Sequence, residues 1–519
     1  MAQEFPIKST ETAKSAYSRL ENDRKPYVTR AEDCAKFTIP LLFPKEADDG
    51  STNYDTPYQS VGARGVNNLA SKLLLALFPP NSPFFRLDVR DDILKYLEAT
   101  PDAKQQIEQK LVQQEQILQK YIESNQIRVT LQEGLKQLIV AGNGLLFLPP
   151  KEGGIKLYRL NNYVIQRDAM GNVIQLITVD KLSYATLPAD IQSLVAGSEQ
   201  KEPDSEVEVY THVFYSYTDQ RVYSYQEIDE KRLPGYDQNF PLHACPWIPL
   251  RLVKVDGENY GRSYAEEYLG DLKTLEQLQK AIVEASAIAA TVINLVNPNG
   301  ITQVRKLVNC KNGGFVPGRA DDITTLQLEK AQDMQIAKTT ADALEARLSY
   351  VFMLNSAVQR NGERVTAEEI RYVAGELEDT LGGIYAILSQ ELQLPLVKCL
   401  MSQLQAQGQL PDMPDGMVEP AITTGMEAIG RGHDLTKLQT FMQVVGQNPE
   451  ALAAINWIGF TLAIASSCGI DTTGIIKTPE QIQQEQQQAL LTNMAQGAAP
   501  NIAKGMMDAA NAQPEATPQ

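Results

Sequence analysis

Hydrophobic positions follow a helical period in two long segments near the middle of the chain. In residues 263–296, Leu272, Leu275 and Leu278 recur at three-residue steps, and residues 331–354 repeat this pattern with many alanines. Such spacing places the apolar side chains on one face of a helix. The two segments therefore predict a pair of long helices whose alanines allow close packing.

The N-terminal part mixes helical patterns with one strand. The stretch from Thr10 to Pro44 is predicted as two helical pieces that part near Pro26, with Thr10 as a candidate N-cap. A second helix is predicted to stop at Pro79, followed by a strand from Phe84. Two further helices are predicted between 102 and 141.

From Gly142 to about residue 228 the period changes to two. The pieces "YVIQRDAMGNVIQLITVD" and "EVEVYTHVFYSYTDQRVYSYQEI" alternate apolar and polar residues and contain turn signals at Gly171 and Gln220. Tyrosine, valine and threonine are favoured in strands. This part predicts an antiparallel sheet with one face exposed to solvent.

An insert bounded by glycine, proline and asparagine separates the two long helices. It covers residues 297–330, and its pieces "TQVRKLV" and "GGFVPG" are predicted as short β-like segments. A polar loop, 355–365, follows the second helix. The insert is therefore predicted as a small compact unit at the tip of the helical pair.

A third long helix is predicted over residues 366–410. Thr366 and Glu369 form a capping box at its start, and Gly382, Gly383 and Pro395 predict bends within it. The following segment, 411–478, is predicted as several shorter helices. Residues 479–519 are rich in glutamine and alanine and are predicted as helical or disordered.

Composition and charge limit the classes of function. The 519 residues are 43% hydrophobic and 21% charged, as in ordinary folded proteins. No apolar run approaches the roughly 18–20 residues that a membrane span needs, so an intracellular protein without membrane contact is expected. The net charge of -17 disfavours tight DNA binding, which depends on lysine and arginine, but allows contact with passing DNA.

No catalytic, cofactor or metal site is predicted. "GNGLLF" and "GRSYA" resemble fragments of dinucleotide and nucleophile loops but lack the complete motifs. The five cysteines are isolated and predict buried thiols, and His212 lies in a strand pattern that predicts a packing role. One alternative is a metal-dependent nuclease that uses the carboxylates of Glu368, Glu369, Glu376, Glu378 and Asp379, but helix capping and a solvated helix face explain these residues better.

Several long strings resemble one protein family. "YQSVGARGVNNLASKLLLALFP", "DGENYGRSYAEEYLGDL", "NSAVQRNGERVTAEEIRYVAGELEDTLGG" and "LSQELQLPLV" are similar to the portal, or head-to-tail connector, proteins of short-tailed double-stranded DNA bacteriophages, the podoviruses. The resemblance extends from about residue 14 to 478. A structural tail or scaffold protein without a DNA channel is the alternative.

The resemblance implies an α+β, predominantly helical portal fold. Its parts would be a mixed α/β wing (1–262), two stem helices (263–296 and 331–354), a small α/β clip (297–330), a channel loop (355–365), a long kinked helix (366–410), a helical crown (411–478) and a tail (479–519). It implies a homo-oligomeric ring of twelve subunits, a dodecamer, at the capsid portal vertex of the head-tail junction in the virion, assembled in the host cytoplasm. Its implied partners are double-stranded DNA, the terminase large subunit, a tail adaptor, major capsid and scaffolding proteins, and internal core proteins at the crown.

The resemblance also implies functional residues. Those of the channel loop are Gln359, Arg360, Asn361 and Arg364. Helix capping and kinking fall to Thr366, Glu369, Gly382 and Gly383. Contact between the clip and terminase or adaptor falls to Arg305, Lys306, Lys311 and Arg319.

Overall fold

The computed structural model describes most of the first four-fifths of the chain. Contacts divide the chain into two compact units, Met1–Ala428 and Ile429–Gln519. In the second unit the described residues are 441–443 and 460–461. In the first unit they are 11–45, 48–80, 84–90, 101–150, 154–196, 202, 204–290, 293–326, 331–354, 375, 377, 381, 383–411 and 418–422.

Helices dominate the N-terminal part of the first unit. Three of the predicted helices are confirmed, at 61–77, 101–124 and 127–141, but the prediction of two helical pieces that part near Pro26 is wrong, because a single helix, α1 (Ala13–Lys36), stands there. α1 runs unbroken through Pro26 because the buried residues on either side of this exposed proline hold the helix in place and offset the one hydrogen bond that it cannot donate. Its cap is Thr12, whose hydroxyl accepts a hydrogen bond from the Ser15 N–H at 3.3 Å. The bounds are α1 (Ala13–Lys36), α2 (Val61–Leu77), α3 (Pro101–Ser124) and α4 (Ile127–Ala141).

The predicted antiparallel sheet is confirmed. Strands β4 to β8 lie in chain order, and β9 pairs with β7, while β2 lies between β10 and β3 in a second sheet. Helix α5 (Ala189–Ala196) buries apolar side chains against β6 and β7. The bounds are β2 (Asn143–Phe147), β3 (Lys156–Tyr158), β4 (Tyr163–Arg167), β5 (Val173–Ser183), β6 (Glu206–Ser216), β7 (Arg221–Ile228), β8 (Lys231–Arg232), β9 (Gln238–Pro241) and β10 (Trp247–Arg251).

His212 on β6 has the packing role that its strand pattern predicts. Its Nδ1 lies 3.1 Å from the Tyr225 hydroxyl, and its Nε2 lies 3.0 Å from Gln175 Oε1. Burial lowers the pKa of the imidazole to about 3. The neutral ring therefore uses both nitrogens inside the sheet.

The predicted helical pair is present but shorter than predicted. Helix α6 (Tyr264–Glu267) leads into α7 (Leu269–Ala290), and α9 (Ala331–Val351) returns beside it, with an Arg347–Asp271 ion pair of 3.2 Å. The predicted continuation of the first helix to Val296 is wrong. Strand β11 (Ile293–Val296) instead pairs with β12 (Ile323–Leu326), because three successive β-branched residues from Thr291 favour a strand over a helix.

The insert also differs from its predicted local structure. Within "TQVRKLV", residues Val304–Val308 form the short helix α8, and "GGFVPG" contains no strand. Val304, Leu307 and Val308 have helical spacing, and Pro317 lacks the N–H that a paired strand needs. The described β structure of this region is the pair of β11, which precedes the insert, and β12, which lies in its last part.

The third long helix is interrupted before Pro395. Residues 383–388 are helical, a π-helix follows at Ser389–Gln393, and α10 covers Leu394–Ala406. Pro395 lacks an N–H and its ring crowds the carbonyl four residues earlier, which a wider turn accommodates. Gly383 lies exposed within the helix, whereas Thr366, Glu369 and Gly382 lie outside the described residues.

A strand also stands where the sequence predicts only helices after Pro411. Strand β13 (Val418–Ile422) pairs antiparallel with β1 (Phe85–Val89). Its sequence, VEPAI, buries Pro420 and exposes the residues on either side of it. A segment assigned by resemblance to the crown thus contacts the N-terminal part.

One large core joins α2, α3, α4, β2 and α10, with Leu73, Leu118 and Leu146 among its buried residues. The residues of α7 and α9 that are buried in this core are Leu272, Leu275, Ala341, Leu344 and Leu348, and Leu278 and Ile282 pack against it while partly exposed. Among the described residues, no helix is both long and apolar enough to cross a bilayer. The described parts of α7 and α9 farther from the body, 279–290 and 332–340, contribute no buried residue to the core, so their apolar side chains require another explanation.

Candidate interface on the helical arm

Two glycine-containing segments pack together where the chain passes from the body into the helical arm, which is defined as α7, β11, the described insert residues 297–326 and α9. Gly142 ends α4 with a φ of 72°, and a Cβ there would lie 2.4 Å from the carbonyl carbon of Arg262. Asn143 Nδ2 donates to the Gly261 carbonyl at 2.8 Å, while Asn143 Oδ1 accepts from the Gly261 N–H at 2.7 Å. Ser263 then caps α6 by accepting from the Glu266 N–H at 3.0 Å. "GNGLLF" and "GRSYA" thus form a structural joint.

Beyond the joint, the arm exposes apolar side chains. About half of the exposed large hydrophobic side chains among the described residues lie between Val283 and Tyr350. Val283 on α7 is 49% exposed and Ile336 on α9 is 67% exposed. Soluble monomers rarely display such apolar surface contiguously. The arm is therefore suited to be covered by another protein chain.

A buried carboxylate organises the insert. Asp322 Oδ2 accepts hydrogen bonds from the Thr302 N–H at 3.1 Å and from the Thr302 hydroxyl at 2.8 Å. These hydrogen bonds to Thr302 lower the pKa of Asp322. A Cβ on Gly300 would lie 2.6 Å from the Asp322 carboxyl carbon, so the turn at that position needs glycine. The insert is held at its base.

The insert carries a positive surface on an acidic chain. Residues 297–326 hold four lysines and arginines but only two carboxylates, whereas the whole chain has a net charge of -17. On α8, Arg305 and Lys306 lie on the opposite side from Val304, Leu307 and Val308, because the latter are three and four residues apart. The predicted contact residues Arg305, Lys306, Lys311 and Arg319 are all exposed.

The C-terminal end of α9 is fixed by side chains of α2. Asn68 Nδ2 donates to the carbonyls of Phe352 and Met353 at 3.0 Å each, and Lys72 Nζ donates to the Met353 carbonyl at 3.0 Å. The Phe352 ring packs on Gly65, where a Cβ would lie 2.5 Å from it. These donors satisfy carbonyls that a helix end leaves without partners.

Helix α2 also contacts the third long helix, through hydrogen bonds from Tyr385 and Gln393. Tyr385 Oη donates to the Ala76 carbonyl at 3.2 Å, and Gln393 Nε2 donates to the Leu77 carbonyl. A second contact of the π-helix is the ion pair of Glu391 with Arg251 of β10, at 3.0 Å. Residues 355–374, which lie outside the described residues, connect two segments that α2 holds. They include the predicted channel and cap residues Gln359, Arg360, Asn361, Arg364, Thr366 and Glu369.

Lys72→Met is expected to weaken this anchor. Methionine retains most of the buried aliphatic stem but removes a charged donor to the Met353 carbonyl, and the loss should be about 1–3 kcal/mol in the free energy of unfolding. Denaturant unfolding at matched protein concentration measures it. Asn67→Ala, on the exposed side of the same helix, is the control and should change stability by less than about 0.5 kcal/mol. Equal stability of the two variants would contradict the anchoring role.

Sequence reasoning missed the anchor although a signal exists. Gly65, Asn68 and Lys72 are three and four residues apart and therefore share one face of α2 with apolar neighbours. A glycine beside two hydrogen-bonding side chains on a buried helix face indicates that another stretch of backbone packs closely against that face.

The carboxylates of the alternative nuclease site, at positions 368, 369, 376, 378 and 379, lie outside the described residues.

Comparison with known proteins identifies relatives over nearly the full chain. The family model described as "Bacteriophage head to tail connecting protein" matches residues 10–476. The portal protein of Escherichia phage T7 is 53% identical and the alignment covers 99% of this chain and 97% of that protein. The portal protein of Enterobacteria phage T3 is 54% identical, covering 97% and 95% respectively. A solved chain from the neck of an empty GTA particle aligns with a TM-score of 0.36 at 12% identity, covering 73% of this chain and 86% of that chain, too weakly to carry any conclusion.

Proposed function

Since the chain belongs to the family of bacteriophage head-to-tail connecting proteins, we propose that it works as a viral portal. In this role, copies of the chain form a ring at one capsid vertex, and the genome enters and leaves through that ring. The role is structural and not enzymatic. The observation that carries the proposal is the exposed apolar surface of α7 and α9, including Val283 and Ile336, which a neighbouring copy would cover.

The parts of the fold suit such a ring. Each copy in a closed ring contacts two neighbours through different surfaces, and the distal parts of α7 and α9 offer apolar side chains for both. In this assignment residues 1–262 are the wing, 263–296 and 331–354 the stem, 297–330 the clip, and 355–365 the channel loop. Residues 366–410, 411–478 and 479–519 are assigned to the kinked helix, the crown and the tail.

The charge of the chain suits a conduit. Twelve copies at -17 each would give a ring of roughly -200 before counterions, a field that disfavours persistent binding of phosphates. The insert differs from the rest in its positive charge. We assign it to contact with the terminase large subunit during packaging and with the tail adaptor afterwards.

The remaining assignments concern place and partners. The ring would sit at the head-tail junction of the virion, contacting the major capsid and scaffolding proteins, with internal core proteins at the crown. Assembly would take place in the host cytoplasm. These assignments extend the portal role to its surroundings.

Negative-stain microscopy of the purified chain tests the portal proposal. Closed rings with an axial hole are expected, and averaged end-on views give the number of copies, for which twelve is expected. Particles that assemble without an axial hole would instead favour a tail or scaffold component without a channel. The result does not depend on any other viral protein.

Arg360→Ala combined with Arg364→Ala tests the assignment of the channel loop. Removing both cations should leave rings intact and reduce packaged or retained DNA by about tenfold, because few other cations would face the phosphates. DNA per particle in a packaging assay measures the effect. Lys110→Ala combined with Lys181→Ala makes the same charge change at exposed positions outside this loop and should package normally. Equal DNA content in both double variants would exclude DNA contact by the loop arginines.

A further inference from the structure

The loop at the tip of the insert presents a fully exposed aromatic side chain. Phe315 has no shielding from the rest of the described chain. It lies in "GGFVPG", between two cations of the insert, Lys311 and Arg319. An isolated phenylalanine gains nothing from this position in a single subunit, since exposure of its ring to water is unfavourable.

The base of this loop is held in place. The Gly314 N–H donates to the Lys311 carbonyl at 2.9 Å, and Gly313 has a φ of 85°. On the other side the Arg319 N–H donates to the Thr302 hydroxyl at 2.9 Å, and that hydroxyl donates to Asp322. A loop fixed at both ends loses less conformational entropy on binding than a free one. Phe315 is thus presented in advance of binding.

Phe315 is covered either by a neighbouring copy of the chain or by a different protein, and the symmetry of a ring distinguishes these two alternatives. Rotation about a ring axis brings each level of a subunit against the same level of its neighbour. The insert of one copy would therefore meet the insert of the next, and both carry the same excess of positive charge. Like charges disfavour that contact around Lys311 and Arg319. Charge complementarity favours an acidic surface from a different protein.

We propose that Phe315 is the anchor by which the assembled ring docks a second protein, through an apolar pocket rimmed by aspartate or glutamate. Lys311 and Arg319 flank the anchor and pair with that rim. Aromatic anchors in the centre of an interface commonly contribute most of its affinity, whereas exposed charges at the rim contribute rate and orientation. The inference rests on the proposed portal function and adds the recognition chemistry of the insert.

Binding of assembled rings to two purified proteins of the same virus, the terminase large subunit and the tail adaptor, tests the proposal. Phe315→Ala should leave the rings closed and weaken binding of at least one of them by about 30-fold or more. Phe315→Tyr should retain most of the affinity because tyrosine keeps the ring. Ile174→Ala removes an exposed apolar side chain from β5 and is the matched control, with wild-type affinity expected.

Salt dependence supplies a second readout. Lys311→Ala combined with Arg319→Ala should slow association and flatten the dependence of the dissociation constant on ionic strength. Wild-type affinity of Phe315→Ala rings for both proteins would overturn the proposal, as would wild-type rings that bind neither. Loss of ring closure in Phe315→Ala would also overturn it, because a neighbouring copy would then be the occupant. Failure of the wild-type chain to form rings would instead contradict the portal function.

Discussion

Gly142→Ala is expected to lower the free energy of unfolding by about 3–5 kcal/mol, the larger stability effect among the substitutions considered. Alanine at a φ of 72° costs roughly 1–2 kcal/mol in backbone conformation. Its Cβ would also lie 2.4 Å from the Arg262 carbonyl carbon. The new Cβ would meet backbone atoms and not a flexible side chain that could move away. The segments around Gly142 and Arg262 must therefore separate, which opens the joint between body and arm.

Gly235→Ala separates these two causes. Gly235 has a φ of 87°, but no atom lies within 4 Å of the position that a Cβ would take. This variant should lose only the conformational part, about 1–2 kcal/mol. Denaturant unfolding of both variants at the same subunit concentration gives the comparison. Similar losses in the two would show that the Gly142–Arg262 contact adds nothing.

Val283→Asp combined with Ile336→Asp is expected to abolish ring formation while the subunit stays folded. Both side chains are exposed in the single subunit, so the fold should lose less than about 1 kcal/mol. In a ring, the same carboxylates would be removed from water at every subunit contact, which is costly without paired cations. Light scattering after gel filtration gives the oligomer size, and circular dichroism verifies the fold.

A matched pair of substitutions on the body controls for surface charge. Met170→Asp with Ile174→Asp replaces two exposed apolar side chains at the β4–β5 turn and on β5, and rings should still form. If the arm variant assembles as well as this control, the apolar surface of the arm is not the contact between copies. Loss of rings in both variants would point to added charge as the cause.

The helices of this fold were predictable where their hydrophobic period is long. The period of α7 identifies a helix but does not give its end, because the following Thr291, Val292 and Ile293 continue the apolar pattern while favouring a strand. Pro26 weakens the helix locally wherever it points, and whether the helix continues depends on tertiary packing of the flanking buried residues, which is not readable from the chain alone. β13 has too few residues to show a period, and only its distant partner β1 determines it.

The candidate interface was predictable in its charge but not in its contacts. Arg305, Lys306, Lys311 and Arg319 stand out in the sequence as cations of an acidic chain, and the structure leaves them exposed. Asn68 and Lys72 bind carbonyls that lie more than 280 residues away in the chain, a relation that no local pattern encodes. Phe315 indicates a binding surface only once its exposure is known, because a phenylalanine between glycines and a proline is as compatible with a buried turn as with an exposed one.

Helix α2 holds the chain on both sides of residues 355–374. Asn68 and Lys72 bind carbonyls just after α9, and the carbonyls of Ala76 and Leu77 accept hydrogen bonds from Tyr385 and Gln393. Both attachment points therefore belong to one helix. A substitution that unfolds the C-terminal half of α2 would release both of them at once, so this short helix is a single point of failure for two distant parts of the chain.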